Sequence, residues 1–343
     1  MTVLARRGLR AVRFAAGLAI VGLAFPVDVR AQPAPVERAE ISARPIHQFK
    51  LGSGETRFGS LEFVGGLELG SGSWNFGAMS AIRFLDPGQR FVGVTDTGFW
   101  YFGRLVRDEA GRPSGFADFT LQQMVDDQGD VIGRKWTTDA EGLAVNGDEA
   151  TVGFERAHRI SVFRLTPKDM KGPLRDLDFL VPAHELRRNR GFETVLYAPA
   201  EGRHEGARIV ISEKSLDRKG DIFGAILEGP TKGIFTVRRS GDFDITDGAF
   251  LPDGDLLLLE RSYSVAKGVA IRLKRIEGDS IGKGKVADGP VLLEADMGYQ
   301  IDNMEGLDVW RRADGAVMVS LISDDNHSIL QRNLYLEFRL HEE

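Results

Sequence analysis

Asp139-Ala140-Glu141-Gly142-Leu143 leads into Val152-Gly153-Phe154-Glu155-Arg156, and this phrase decides the fold because the chain repeats it. An acidic residue and a glycine open one apolar run, and a polar cluster closes the next. Asp244-Ile245-Thr246-Asp247-Gly248-Ala249 leads in the same way to Leu258-Leu259-Glu260-Arg261, and Asp302-Asn303-Met304-Glu305-Gly306-Leu307 to Leu321-Ile322-Ser323-Asp324-Asp325-Asn326. Weaker copies run from Phe192-Glu193-Thr194-Val195 to Ile211-Ser212-Glu213-Lys214, and from Met79-Ser80-Ala81-Ile82 to Val94-Thr95-Asp96-Thr97. Recurrence at about 50 to 60 residues marks a repeat architecture, and all-β units of that size read as propeller blades.

The turn residues agree. Asp86-Pro87-Gly88, Asn146-Gly147, Pro252-Asp253-Gly254 and Ala313-Asp314-Gly315 each separate two runs rich in Val, Ile, Leu and Phe, which is hairpin chemistry. The reading is an all-β propeller of five or six blades. A sixth would hide in the insertions around 103–135 or 215–240, and N-terminal strands around Phe58 to Leu69 would close the last blade. The 343 residues, 41 glycines and 13 prolines suit many short strands joined by tight turns.

Ahead of the repeats lies a segment with another purpose. Arg6, Arg7, Arg10 and Arg13 precede an apolar run from Phe14 to Phe25, and Val29-Arg30-Ala31 offers small residues at a cleavage position. These features predict a signal peptide over residues 1–31, and so a periplasmic or secreted protein. Arg6-Arg7 matches a twin-arginine export motif only loosely, so the route stays open. The apolar run falls short of the roughly 20 residues that span a bilayer, so no stable membrane insertion is expected after cleavage. Residues 32–45, with Pro33, Pro35 and Pro45, read as an exposed linker, and 46–343 as one propeller domain.

Loss of residues 1–31 takes five arginines and one aspartate with it and moves the formal charge from −6 to −10. Such a chain repels nucleic-acid phosphates, and cations are its expected partners. The absence of cysteine excludes a disulfide scaffold and a cysteine-anchored lipoprotein, and the six histidines lack the spacing of a zinc site. Gly278-Asp279-Ser280-Ile281-Gly282 matches the serine-esterase pattern in letters only, because its glycine-rich polar surroundings offer no strand and helix for a nucleophile elbow.

In an antiparallel hairpin the start of the first strand and the end of the second share one end. With first strands lining the axis, Glu141, Glu155, Glu193, Glu213, Asp247, Glu260, Glu305, Asp324 and Asp325 would ring one mouth of the channel, beside Arg156, Lys214 and Arg261. Met79 takes the acid's place in the first repeat, so that blade reads as structural. Carboxylates converging there would hold a divalent cation, with calcium as the expected ion, through Glu141, Asp302, Glu305 and Asp324. Glu141, Glu305 and Asp324 are the candidate catalytic groups, and Arg156, Lys214 and Arg261 the candidate binders of a small anionic or ester substrate. His158 and His327 lie close enough in the repeat scheme to face the same mouth. Against this stands the reading of the same residues as turn formers and solvated ion pairs.

The Asp302-Asn303-Met304-Glu305-Gly306 and Ser323-Asp324-Asp325-Asn326 pieces, with Gln331-Arg332, Asp139-Ala140-Glu141-Gly142 and Glu260-Arg261, resemble the exported bacterial proteins known as the esterase-like activity of phytase family. The similarity runs over most of residues 58 to 340. It implies a β-propeller and the hydrolysis of esters or phosphoesters, and it supplies no catalytic residues to carry over. Two further functions stay open: a non-catalytic propeller that binds a ligand or an exported protein partner, and a calcium-dependent lactonase-like hydrolase.

Overall fold

The computed structural model describes residues 34–132, 135–182, 186 and 191–341. The predicted signal segment lies outside the described residues.

Five sheets follow one another along the chain, antiparallel except that the third gains a short parallel edge strand, Val286–Ala287, from later in the sequence. Their innermost strands are Met79–Phe84, Ala140–Asn146, Thr194–Tyr197, Asp244–Phe250 and Met304–Arg311, one for each of blades 1 to 5. Each packs against the next, and the fifth returns to the first, so the strands enclose one axis. The insertions that could have hidden a sixth blade are the outer strands of blades 1 and 3.

Closure uses the N-terminal strands. Leu61–Ser71 pairs antiparallel with Asn333–Leu340, so the last blade is built from both ends of the chain. Residues 36–45, read from their prolines as part of an exposed linker, instead lie in two edge strands and the residues between them. Val36–Arg38 pairs with the outer strand of blade 1, and Ile41–Ile46 with Leu61–Ser71 of blade 5. Proline is tolerated on an edge strand, where its missing N–H faces no partner, so Pro45 ends no pairing. The N-terminal segment thus fastens blade 1 to blade 5.

The core lies between blades. Ile209, Ile211 and Ile222 of blade 3 meet Ile245, Leu256 and Leu258 of blade 4, all essentially inaccessible to water. Leu257, Leu259 and Ile271 of blade 4 meet Leu307, Val319 and Leu321 of blade 5 in the same way. Each such side chain contributes roughly 1.5–3 kcal/mol on burial. The glycine of the repeated phrase has a packing cause. A Cβ on Gly142 would lie 2.7 Å from the Glu193 carbonyl oxygen, and one on Gly306 would lie 3.1 Å from Ala81 Cα. Only glycine lets neighbouring inner strands approach that closely.

Candidate functional site: an acidic channel mouth built on β-bulges

One irregularity recurs at the start of the inner strands. In blade 2, Gly142 faces Gly153 and Ala140 faces Phe154, so Glu141 is an extra residue with no partner of its own. The same bulge leaves Ser80 extra in blade 1, Thr246 in blade 4 and Glu305 in blade 5. In blade 3, Thr194 faces Ile211 and the Gly191 carbonyl accepts from Glu213 N–H, which puts Glu193 at the equivalent place. A bulge sets two residues against one and re-aims the extra side chain. Ser80, Glu141, Glu193, Thr246 and Glu305 are therefore the five positions turned off the sheet at the channel mouth.

The opposing strands add a second set. Asp96, Glu155, Glu213 and Asp324 each donate their backbone N–H to a carbonyl just before the bulge, at Ala78, Asp139, Gly191 and Asn303. Arg261, paired with Asp244, holds that place in blade 4. Ligand oxygens of Asp139, Glu141 and Glu155 all lie within 4.8 Å of one another, and so do those of Glu155, Glu193 and Glu213. Glu155 joins the two groups. Arg261 Nη1 lies 3.2 Å from Glu305 Oε1, Arg261 Nη2 lies 3.9 Å from Glu213 Oε1, and Nη1 also donates to Asn303 Oδ1.

Crowding dominates the electrostatics. Burial, then Glu213 and Asp139, pushes Glu155 up to about 8. Burial also raises Glu213 to about 7, with Asp244 and Glu305 adding to the shift and Arg261 opposing it. Glu141 and Glu193 are driven well above the usual carboxylate range, first by burial and then by the neighbouring acids. Asp324 rises through burial and the charges of Glu305 and Asp96, and Glu305 rises through burial despite Arg261.

The structure separates the sequence candidates. It brings together Glu141, Glu155, Glu193, Glu213, Glu305 and Asp324 with Arg261. Asp247, expected in the same ring, sits one residue below it, because Thr246 takes the bulge. Its carboxylate receives both terminal nitrogens of Arg83, at 2.7 and 2.8 Å, and the Leu307 N–H at 2.8 Å. Arg83 also donates to the carbonyls of Ile82 and Leu307, so this buried pair joins blades 1 and 4, which are not neighbours in the ring. Glu260 is spent on Arg272. Asp325 accepts from Ala78 N–H at 2.9 Å and Asn333 Nδ2 at 2.7 Å, tying blade 5 to blade 1.

Asp302, expected as a cation ligand, lies 3.4 Å from Arg332 Nε and accepts the Arg332 and Asn303 backbone N–H groups. Arg156 Nε lies 2.6 Å from Asp139 Oδ2, while Lys214 pairs with Asp244. His327 is exposed in the loop after blade 5's second strand. Ser280 of the esterase-like letters sits on a short 3-10 turn and donates to the Glu277 carbonyl at 2.6 Å, so no elbow presents it.

Asp139 and Asp96 were missed as site residues. Blade 1, set aside because Met79 replaces the acid, contributes Asp96 from the opposing strand. The signal was present: Asp96 ends its hairpin where Glu155 and Asp324 end theirs.

Over residues 75–327 the chain matches the family described as phytase-like, esterase-like activity of phytase. The protein belongs to that family. Comparison with curated proteins finds no match. Among solved structures, it is similar to a mannose phosphorylase from Leishmania mexicana, at 9% identity and a TM-score of 0.42, covering 79% of this chain and 86% of that one. It is also similar to glutaminyl cyclase of Myxococcus xanthus, at 11% identity and a TM-score of 0.41, covering 91% of this chain and 100% of that one. No activity is read from either. Among the described residues, no helix is long and apolar enough to cross a membrane.

Proposed function

We propose that the protein is an exported ester or phosphoester hydrolase whose acidic channel mouth works with a bound divalent cation, calcium being the best fit. The carrying observation is the convergence of Glu141, Glu155, Glu193, Glu213, Glu305 and Asp324 from three blades beside Arg261 of a fourth. The family's description supports the hydrolytic reading.

The residues suit a hard cation. Their donors are carboxylate oxygens from separate blades, and these six groups with Asp139 outnumber Arg261, Arg156 and Lys214, so they cannot all ionise without further positive charge. The buried Ser80 hydroxyl, at a bulge position, has no hydrogen-bond partner among the described residues. Glu141, Glu155, Glu193 and Glu213 would hold the ion, while Asp139 is paired with Arg156. Asp302, committed to Arg332, stays out of that set. When bound, a cation of this class polarises an ester oxygen and makes coordinated water more acidic.

The chain's own groups do the rest. Arg261 offers a charged donor where negative charge develops on the reacting oxygens. Glu305 is held by that arginine at the edge of the cluster. Asp324, whose carboxylate accepts the Asn326 N–H, stands next to it as a second proton acceptor or donor.

The test is metal analysis of the purified mature protein together with turnover of aryl esters and phytate, with and without chelator. Chelator-sensitive hydrolysis that Glu305→Gln abolishes in a folded protein supports the reading. A folded protein that hydrolyses nothing with its ion bound, yet retains a ligand or exported protein, is a binding propeller instead.

A further inference from the structure

Blades 3 and 4 differ from the other blades at the mouth, since the second strand of blade 3, Arg208–Leu216, runs on beyond Glu213. In blades 1, 2 and 5 the second strand ends at Thr95, Phe154 and Ser323, level with the acidic ring. In blade 4 it continues beyond Arg261, with Ser262, Tyr263 and Ser264 still paired to Ala270, Val269 and Gly268. Gly268, at φ +74, turns the hairpin, and a Cβ there would lie 2.8 Å from Met297 Cγ. That overhang forms one wall of a cavity of about 530 Å³ whose lining includes Lys214, Asp244, Arg261, Tyr263 and Lys267.

The charge in this cavity is mixed where the ring beside it is acidic: Lys214, Arg261 and Lys267 stand against Asp242 and Asp244. Asp244 is shared by two bases, Lys214 and Arg239, the latter at 3.0 Å. Arg261 leans the other way, toward Glu305 and Glu213, and so forms the boundary between cavity and ring. Lys267 has no carboxylate partner among the described residues. Tyr263 is 69% exposed on the same hairpin, a large apolar face left in water beside a free ammonium group. An anion is repelled by the ring and attracted by this shelf.

We propose that the blade 4 shelf is a specificity subsite that holds a second, anionic end of the substrate, a carboxylate or phosphate, on Lys267, with the intervening chain lying against Tyr263. This rests on the hydrolytic reading of the mouth. It orients the substrate, with the ester at the acidic ring and the charged end at the hairpin tip. Lys267 and Tyr263 touch no reacting atom, so they set affinity rather than the rate of the bound complex.

The test compares two esters with one leaving group, 4-nitrophenyl acetate and the 4-nitrophenyl half-ester of succinic acid, on wild type, Lys267→Gln and Tyr263→Ala. Both residues are exposed, so the variants fold. The wild type favours the charged ester, and Lys267→Gln raises KM for it by about fivefold, the scale of one partly solvated ion pair, while KM for the acetate and both kcat values hold. An unchanged preference in Lys267→Gln overturns the subsite even if hydrolysis is real, and equal use of both esters by wild type overturns it too. If neither ester is hydrolysed, the mouth reading fails separately, and lysine acetylation mapped by mass spectrometry with and without succinate decides the shelf. Protection of Lys267 supports it, and equal labelling overturns it.

Discussion

Two layers of the channel carry buried carboxylates, and they are solved in opposite ways. At the lower layer Asp247 meets Arg83 through two parallel bonds and takes the Leu307 N–H as well. At the mouth, Glu193, Glu213, Glu305 and Asp324 share Arg261, while Glu155 has Arg156 beside it and Glu141 has the charges of Asp139 and Glu155 against it. The lower layer is complete with the chain's own atoms and holds the blades in place. The upper layer is not, since buried like charges cost free energy until a counter-charge arrives. That contrast separates a structural acid from a functional one, where sequence position alone had put Asp247 and Glu141 in one ring.

The contrast breaks most visibly at the lower pair. Arg83→Met leaves Asp247 buried without its partner and costs about 3–5 kcal/mol in urea unfolding, with no change in metal content per folded molecule. Loss of the ion with the pair intact has the reverse signature: chelation abolishes turnover while the far-ultraviolet circular dichroism stays that of the native sheets.

A mouth substitution inverts the usual sign. Glu193→Gln removes a carboxylate driven up by burial and by Glu141, so in chelator the variant is more stable than wild type by roughly 2 kcal/mol in urea unfolding, and it binds the ion more weakly. The pH dependence follows from Glu155 and Glu213. Their folded-state values, about 8 and about 7, lie above the 4.5 of an ordinary glutamate, so between those limits the native state binds more protons than the unfolded chain. Stability in chelator therefore falls as pH rises from about 4.5 to about 8, and thermal melts at pH 5 and pH 8.5 measure the drop. The smallest effect belongs to Asp302→Asn, which breaks a half-exposed ion pair with Arg332 and costs under about 1 kcal/mol, again by urea unfolding, without altering metal content.

The fold was legible because hairpin turns and the recurring acid-glycine phrase are local features. Asn146-Gly147 sets a tight turn, and Gly142 and Gly306 record where inner strands touch. The site was legible only in part, because bulges decide it. One extra residue moves a side chain from the sheet to the channel, and nothing in Asp244-Ile245-Thr246-Asp247-Gly248 shows that Thr246 rather than Asp247 takes that place. Pairing across blades was equally hidden: Arg83 meets Asp247 and Arg332 meets Asp302 only after the ring closes. Residues 36–45 carry a linker's prolines yet pair as edge strands, because an edge position tolerates the missing N–H.

The most direct test of a cation-completed mouth is calorimetric titration of chelator-stripped protein with calcium near pH 7.5, repeated in buffers of different ionisation enthalpy. Saturable binding with release of protons is expected, because Glu155, Glu141 and Glu193 must give up protons held by burial and mutual repulsion. Absence of binding heat, or binding that releases no protons and persists unchanged in Glu155→Gln, would contradict the account.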